Sequence, residues 1–239
     1  MQSGFEFRMR HICVFLIAVC CSSLCAYSQH DIELHFVPNL KGVVINEQPF
    51  CSSPSDSAEI CLQVFRFYIH DVRFKSKGKS VTVNPSGHFL IDVEHSESTH
   101  LNFTLTDSVS VDELQFTIGV DSVLQQNGAH SGVLDPIEGM YWTWQSGYIN
   151  WKLEAEIRLL EQKDTITWHI GGYRNPLNTL QKISLPVEVN SFGEVWIAVE
   201  LSHLLHTENT KNNRTIMSPS GQALELSREF TSCFQWLSR

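Results

Sequence analysis

One stretch of the sequence alternates strictly between apolar and polar side chains: Ile149-Asn150-Trp151-Lys152-Leu153-Glu154-Ala155-Glu156-Ile157-Arg158-Leu159. Successive side chains of a β-strand point to opposite faces of a sheet, so this period of two predicts a strand with one buried and one solvated face. Other runs elsewhere in the chain predict further strands. These runs are residues 32–36, 64–74, 81–83, 89–93, 101–105, 114–120, 166–170, 183–187 and 195–201.

Turn residues such as Lys77-Gly78 separate the runs, a spacing typical of antiparallel sheets. Helical spacing is confined to the C-terminal end, where Ser218 precedes Pro219 and apolar residues follow every three or four positions. The sequence therefore predicts an all-β fold, an antiparallel β-sandwich of about ten short strands with a C-terminal amphipathic helix at about 219–237.

The composition excludes one large class of partners. The chain has 239 residues, of which 42% are apolar, enough for a sizeable core. It carries 17 Lys and Arg against 26 Asp and Glu, a net charge of −9. Proteins that bind nucleic acid present a basic surface to the phosphates, so we expect no nucleic-acid partner.

The N-terminus has the pattern of a secretory signal peptide. Arg8 and Arg10 precede an apolar run at residues 12–25, and small residues follow at Ala26 and Ser28. The run is short for a membrane-spanning helix, so we expect cleavage after Ser28.

This pattern predicts a signal peptide at residues 1–28 and a single domain at residues 29–239. No other apolar stretch is long enough to span a membrane, so the mature chain is expected outside the cell or in the periplasm. An uncleaved anchor or a lipoprotein signal is the alternative, because cysteines lie close to the cleavage region.

Three cysteines remain after the predicted cleavage. In an oxidising compartment the natural pair is Cys51 with Cys61, which closes a short polar loop. Cys233 lies in the predicted C-terminal helix and is interpreted as a buried free thiol that acts as a small apolar residue.

Common catalytic motifs are absent from the sequence. It contains no G-x-S-x-G, G-x-G-x-x-G, P-loop or H-E-x-x-H motif and no paired C-x-x-C. It does contain eleven histidines and six tryptophans. Such nitrogen-rich and aromatic surroundings suit copper better than calcium or magnesium.

Two histidines are candidate metal ligands because each lies on a predicted strand and points away from the core. His70 ends an aromatic strand and shares a face with Tyr68. His169 lies on the face opposite Trp168, beside two glycines. Side chains on rigid strands are well suited to preorganised metal binding.

Two other histidine pairs are interpreted as solvated residues. His95 and His100 bracket a predicted loop, and His203 and His206 lie three residues apart where a short helical turn is expected. Neither pair has a third candidate ligand near it in the sequence, and metal sites in proteins normally use three or four ligands.

The segment Met140-Tyr141-Trp142-Thr143-Trp144-Gln145-Ser146-Gly147-Tyr148 concentrates four aromatic side chains and a methionine next to the best predicted strand. On composition alone, it is interpreted as a plug of the hydrophobic core.

Five segments occur in a distinctive order along the chain. They are Phe67-Tyr68-Ile69-His70-Asp71-Val72-Arg73, Phe89-Leu90-Ile91-Asp92-Val93-Glu94, Phe116-Thr117-Ile118-Gly119-Val120, the aromatic segment at residues 140–148, and His169-Ile170-Gly171. In this order they resemble the methanobactin-associated copper protein family, MbnP. The resemblance spans residues 31–205, and the segment with the paired tryptophans is its most specific part.

The resemblance implies a secreted or periplasmic protein that binds one copper ion through two histidines and a tryptophan oxidised to kynurenine. It assigns the ligand role to His70 and His169, and the oxidised residue to Trp144 or Trp142. These two tryptophans share a face in an extended segment, so both assignments stay open, and Trp168 ranks third. The resemblance also implies a partner, a di-haem enzyme similar to MauG, that oxidises the tryptophan.

The implied site has a coherent chemistry. Opening an indole ring exposes an aniline nitrogen, and this nitrogen with two neutral imidazoles makes a low-coordinate site suited to Cu(I). The first hypothesis is therefore a secreted copper-binding protein, used in copper acquisition or handling, that is not an enzyme. A copper-free β-sandwich module for recognition or adhesion is the alternative, and a copper-dependent redox enzyme comes third.

Overall fold

The computed structural model describes residues 30–55, 58–81, 83–84, 87–105, 110–144, 147–159, 162–191 and 193–239. The predicted signal peptide at residues 1–28 lies outside these residues. Their strands are β1 (His30–Leu40), β2 (Val43–Val44), β3 (Phe50–Ser55), β4 (Ala58–Ser76), β5 (Lys79–Val81), β6 (Val83–Asn84), β7 (His88–Asp92), β8 (His100–Leu105), β9 (Glu113–Ile118), β10 (Tyr141–Trp142), β11 (Gly147–Leu159), β12 (Gln162–Gly171), β13 (Gln181–Pro186), β14 (Glu194–Glu200), β15 (Thr215–Ile216) and β16 (Phe234–Leu237).

Helices are short in the described residues. The α-helices are α1 (Ser122–Gln126), α2 (Thr207–Asn212) and α3 (Gly221–Phe230). Single turns of 3-10 helix lie at Ser96–Thr99, Gly132–Leu134, Pro136–Glu138, Leu201–His203 and Thr231–Cys233. None of the described helices is long and apolar enough to cross a membrane.

The strands form two sheets. The six-stranded sheet has the order β16-β14-β1-β8-β6, and β2 pairs with the end of β1 at Asn39 and Leu40. The ten-stranded sheet has the order β13-β9-β4-β11-β12-β15, and β10 pairs with β11 while β3, β5 and β7 pair with the long strand β4.

Both sheets are mixed. The pairs β1–β14 and β12–β15 are parallel, and the other pairs are antiparallel. The described residues are mostly β with one C-terminal helix, as predicted, whereas the prediction that every strand is antiparallel is wrong and the sandwich arrangement is not confirmed. The error has a physical cause, because the alternation of side chains within one strand carries no information about the direction of its neighbour.

The two sheets share one hydrophobic core. Phe36 of the six-stranded sheet contacts Phe67 of the ten-stranded sheet edge to face, with ring centroids 5.6 Å apart. Helix α3 adds Phe230, whose ring lies 4.9 Å from that of Trp151. The Trp151 Nε1 donates to Ser227 Oγ at 3.2 Å, so the indole is buried without losing its hydrogen bond.

The predicted C-terminal helix at 219–237 is wrong in its extent. Helix α3 begins after Ser220, which accepts a hydrogen bond from Ala223 N, and it ends at Phe230. The last residues form β16, which pairs with β14. Phe234 and Trp236 are two positions apart there, with Gln235 between them, a spacing that suits a strand.

The cysteine predictions are confirmed. Cys51 and Cys61 face each other on β3 and β4 and form a disulfide. Cys233 is a buried free thiol, although it lies in a 3-10 turn and not in an α-helix. Burial raises the pKa of this thiol, which keeps it protonated and unreactive.

A smaller hydrophobic cluster covers the opposite face of the ten-stranded sheet. It consists of Tyr68, Val120, Leu134, Met140, Trp142, Tyr148 and Ile149. Most of these residues belong to the chain between β9 and the start of β11, so the interpretation of the aromatic segment as a core plug holds for its buried members.

Candidate metal centre

His70 occupies the outer face of β4, the face directed away from the shared core. Its Nδ1 lies 2.8 Å from the Gly119 carbonyl oxygen, and its ring stacks on His88 with centroids 4.9 Å apart. His88 Nε2 accepts a hydrogen bond from Asp121 N at 3.1 Å. Burial, and secondarily His70, lower the pKa of His88 to about 4, so this second ring is neutral at ordinary pH.

His169 lies on the outer face of β12 and is buried. Its Nε2 is 2.8 Å from Glu154 Oε1, and Lys152 Nζ approaches the same oxygen at 3.1 Å. Burial lowers the pKa of His169, and the hydrogen bond to Glu154 opposes that shift. His169 therefore already has a partner on the sheet, the Glu154 carboxylate, which it shares with Lys152.

The sheet register keeps the two predicted ligands apart. His169 pairs with Lys152, and Lys152 pairs with Arg66, which precedes His70 by four positions on β4. At about 3.3 Å per residue and about 4.8 Å per strand, His70 is displaced from His169 by about 13 Å along the strands and about 10 Å across them. They share a face, and among the described residues neither belongs to a group of three metal-ligating side chains.

The two candidate tryptophans differ in their surroundings. Trp142 is buried, with 2% of its surface exposed, and its ring covers Gly171, two positions after His169 on the same face of β12. Trp144 is 63% exposed. The structure thus brings Trp142 into the neighbourhood of His169 but does not bring His70 there.

A different group of side chains does come together on the outer face of the six-stranded sheet. Glu33, His35 and His100 each present a ligand atom, and these atoms lie within 4.8 Å of one another. We call these three residues the β1–β8 triad. His35 Nε2 is 3.6 Å from Glu33 Oε2, and His100 Nδ1 is 3.5 Å from Glu33 Oε1.

Strand geometry explains how the triad forms. Glu33 and His35 are two positions apart on β1, so both point away from the core, whereas Leu34 between them is fully buried. In the antiparallel pairing of β1 with β8, His35 is directly opposite His100. The two imidazole centroids are 4.6 Å apart, with the rings nearly perpendicular.

The neighbouring strand supplies an aromatic wall. In the parallel pairing of β1 with β14, His35 is opposite Trp196. The two rings stack at 3.8 Å with an interplanar angle of 5°. The Arg239 guanidinium also lies over the Trp196 ring, with its Cζ 4.3 Å from the ring centroid. The stacking fixes the orientation of the His35 ring.

His35 is the unusual member of the triad. It is 4% exposed, and neither ring nitrogen has a hydrogen-bond partner among the described residues. Its 3.6 Å contact with Glu33 exceeds hydrogen-bond length. Burial lowers the pKa of His35, and Glu33 opposes the shift, so the ring is neutral and has a nitrogen lone pair to offer.

The donor set of the triad fits a transition metal. Metal–nitrogen and metal–oxygen bonds are about 2.0–2.2 Å, so two atoms bound to one ion lie at most about 4 Å apart. The contacts of Glu33 with both histidines already satisfy this limit. A second cluster of Cys51, Glu59 and Cys61 offers no thiolate, because its two sulfurs form the disulfide.

From the sequence alone, His100 is interpreted as a solvated loop residue and His35 has no assigned role. A signal was nevertheless present, because Glu33 and His35 have the spacing of two that places ligands on one face of a strand. The sequence does not show which residue lies opposite His35. His100 follows the 3-10 turn Ser96–Thr99 and joins the site only through the register of β8 against β1.

A comparison with protein families identifies the chain. The model of the family MbnP matches residues 29–218, a range that contains the whole β1–β8 triad and both predicted histidine ligands. The chain belongs to the MbnP family. This family is associated with methanobactin and copper handling by its name.

The fold agrees with that membership. MbnP from Methylosinus trichosporium has a solved structure similar to this one, with a TM-score of 0.51 and 14% sequence identity. The similarity covers 74% of this chain and 78% of that chain. At this identity it shows the shared MbnP fold and no more. No match was found among curated proteins.

Proposed function

We propose that this member of the MbnP family is a copper-binding protein that holds the ion at Glu33, His35 and His100. The observation that carries the proposal is the buried imidazole of His35, which has no hydrogen-bond partner and stands beside a second histidine and a carboxylate. Burying a polar ring without a partner is costly. A bound ion lowers this cost by accepting the lone pair of one ring nitrogen.

The donor types favour copper, in two oxidation states with different ligands. Among divalent first-row ions, Cu(II) binds nitrogen and oxygen sites most tightly. The Glu33 carboxylate is a hard ligand suited to Cu(II), whereas two imidazoles also suit Cu(I). We therefore propose that His35 and His100 bind both states and that Glu33 contributes mainly to Cu(II). The protein binds and hands on copper and does not act as an enzyme.

The family resemblance supplies a second arrangement for the same ion. It places copper at His70 and His169 with a kynurenine formed from Trp142 or Trp144 by a MauG-like partner. The position of Trp142 near His169 supports this arrangement. The register of β4 and β12 weighs against it, because a shared ion would require the two histidines to approach each other.

We propose an extracellular or periplasmic location. The predicted signal peptide at residues 1–28 and the Cys51–Cys61 disulfide support it, since disulfides persist in oxidising compartments. Copper acquisition or handling outside the cytoplasm is consistent with that location.

Titration of the metal-free protein with Cu(II) and with Cu(I) tests the proposed function. We expect one tightly bound ion in each state and an electron paramagnetic resonance spectrum of the Cu(II) form with nitrogen couplings from imidazole. Glu33→Gln should weaken Cu(II) binding and leave Cu(I) binding unchanged. Asp31→Asn is the matched control, because Asp31 lies on the same strand and outward face. Failure of the wild type to bind either ion tightly would favour the copper-free recognition module.

Intact-mass measurement tests the kynurenine separately. Protein purified from its own host should contain one tryptophan converted to kynurenine, and peptide mapping should place the change at Trp142 or Trp144. Protein made in a host without a MauG-like enzyme is the control and should keep all its tryptophans. Unmodified tryptophans in both preparations would remove kynurenine, but not the β1–β8 triad, from the proposal.

A further inference from the structure

Trp196 contacts the β1–β8 triad without offering it a lone pair, because an indole N–H is a donor only. Its Nε1 donates to Glu194 Oε2 at 3.1 Å, and Asn190 Nδ2 donates to the same oxygen at 2.9 Å. Its ring stacks on His35 with an interplanar angle of 5°. The hydrogen bond and the stacking hold the indole plane in one orientation beside the triad before any ion binds.

The two faces of the Trp196 ring have different neighbours. In the six-stranded sheet, β14 lies between β16 and β1, so residues from these two strands approach the indole from opposite sides. Arg239 follows β16, and its Cζ lies 4.3 Å from the Trp196 centroid. His35 belongs to β1, and its ring centroid lies 3.8 Å away. The face toward β1 is therefore the one that meets the triad.

The stacking also limits where an ion bound to His35 can lie. A nitrogen lone pair of imidazole lies in the plane of the ring, so the ion lies close to that plane, which is parallel to the Trp196 plane. With a metal–nitrogen bond of about 2.0 Å, the ion lies about 3 Å from the His35 centroid and about 4–6 Å from the Trp196 centroid. Cation–π contacts extend to about 6 Å from a ring centroid.

Both rings turn their nitrogen edge toward the same row of side chains. In the parallel pairing of β1 with β14, the residue opposite Glu33 is Glu194. His35 Nε2 lies toward Glu33 and Trp196 Nε1 lies toward Glu194, so an ion between His35 and Glu33 is next to the pyrrole half of the indole. Solvent reaches the triad here, because the side chains of Glu33 and His100 are 38% and 44% exposed.

We propose that the Trp196 ring face contacts the copper ion and raises the affinity of the β1–β8 triad for Cu(I) relative to Cu(II). A π face is a soft donor, and soft donors favour Cu(I). The Glu33 carboxylate is a hard donor that favours Cu(II), so Trp196 and Glu33 act in opposite directions on the oxidation state of the bound ion. This inference rests on the proposed copper site and leaves its three ligands unchanged.

Two substitutions of Trp196 test the contact. Trp196→Leu removes the aromatic face, and Trp196→Phe keeps a ring that can stack on His35 but has a weaker π face. The affinities for Cu(I) and Cu(II) are measured separately, each by competition against a chelator of known affinity. In Trp196→Leu we expect the Cu(I) affinity to fall about ten-fold more than the Cu(II) affinity, with a smaller difference of the same sign in Trp196→Phe.

Trp236→Phe is the matched control. Trp236 lies on β16 in the same sheet, but it is opposite Ile197, whose side chain points into the core, so it faces away from the triad. This variant should keep both copper affinities. Addition of Cu(I) should also change the ultraviolet absorption of the indole, and this change should be lost in Trp196→Phe and kept in Trp236→Phe.

Equal losses of Cu(I) and Cu(II) affinity in Trp196→Leu would show that the indole only holds His35 in place, and they would overturn the proposal. An unchanged Cu(I) affinity in both Trp196 variants would overturn it as well. Failure of the proposed function gives a different result. In that case the wild type binds neither ion tightly, or it keeps its copper after both His35 and His100 are replaced by alanine.

Discussion

Copper affinity is expected to fall by more than about 100-fold when His35 and His100 are both replaced by alanine, since even residues that only orient metal ligands change affinity by about 10- to 100-fold. The two imidazoles supply the nitrogen ligands of the proposed site, and Glu33 alone is a weak monodentate anchor. Competition titration against a chelator of known affinity measures the loss.

A matched double variant tests the alternative arrangement. His70→Ala with His169→Ala removes the same number of imidazoles from the ten-stranded sheet and should leave copper affinity unchanged. If this second variant loses the ion and the first retains it, the site implied by the family resemblance is correct and the β1–β8 triad is not the copper site.

His35→Phe separates ligand loss from misfolding. Phenylalanine keeps a planar ring that can stack on Trp196, but it removes two buried nitrogens that have no hydrogen-bond partner. Relief of such unsatisfied groups is worth about 1–3 kcal/mol each, partly offset by the larger ring. We therefore expect this variant to lose copper while its metal-free form is at least as stable as wild type in denaturant unfolding.

Asp92→Ala is expected to lower the free energy of unfolding by about 3–5 kcal/mol, the range for removing one partner of a buried ion pair. Asp92 is 3% exposed, forms an ion pair with Arg66, whose Nε lies 2.9 Å away, contacts His95 Nδ1 at 3.0 Å and accepts a hydrogen bond from Glu94 N at 3.0 Å. Its loss leaves Arg66 in a mostly buried position with only the exposed Glu94 as an acidic partner. Urea unfolding followed by tryptophan fluorescence measures the change.

Glu94→Ala is the control for this prediction. Glu94 also pairs with Arg66, at 2.7 Å, but its side chain is largely exposed, so its removal should cost less than about 1 kcal/mol. Equal effects of the two substitutions would show that the Asp92 network does not stabilise the fold. The backbone of Asp92 also bonds to Ser98 in the 3-10 turn before His100, and these bonds are kept in the alanine variant.

Individual strands and the disulfide were predictable from the sequence, because each depends on a pattern of neighbouring residues. Strand β11 covers the alternating stretch that begins at Ile149, and the disulfide joins the two cysteines expected to pair. The C-terminal end failed because Phe230, Cys233 and Leu237 have helical spacing, while Phe234 and Trp236 have strand spacing. Packing of β16 against β14 decided between two patterns that overlap in the same residues.

The candidate metal centre was not predictable in the same way. His35 and Trp196 become neighbours only through the parallel pairing of β1 with β14, and His100 joins them through the antiparallel pairing with β8. No local pattern encodes which distant strands meet. His70 and His169 are predicted ligands because of their strands and the family resemblance, and neither criterion contains the distance between them.

The row formed by His100, His35 and Trp196 crosses three strands, and this has a consequence for when the protein can acquire its ion. A slip of β8 by one position would turn His100 to the opposite face, so only a chain with the native register offers both imidazoles. Copper therefore cannot nucleate the assembly of these strands. It stabilises the native sheet only after the sheet has formed, because it binds the folded protein and not the unfolded chain. Loading with metal would then act as quality control, since misassembled copies would remain empty.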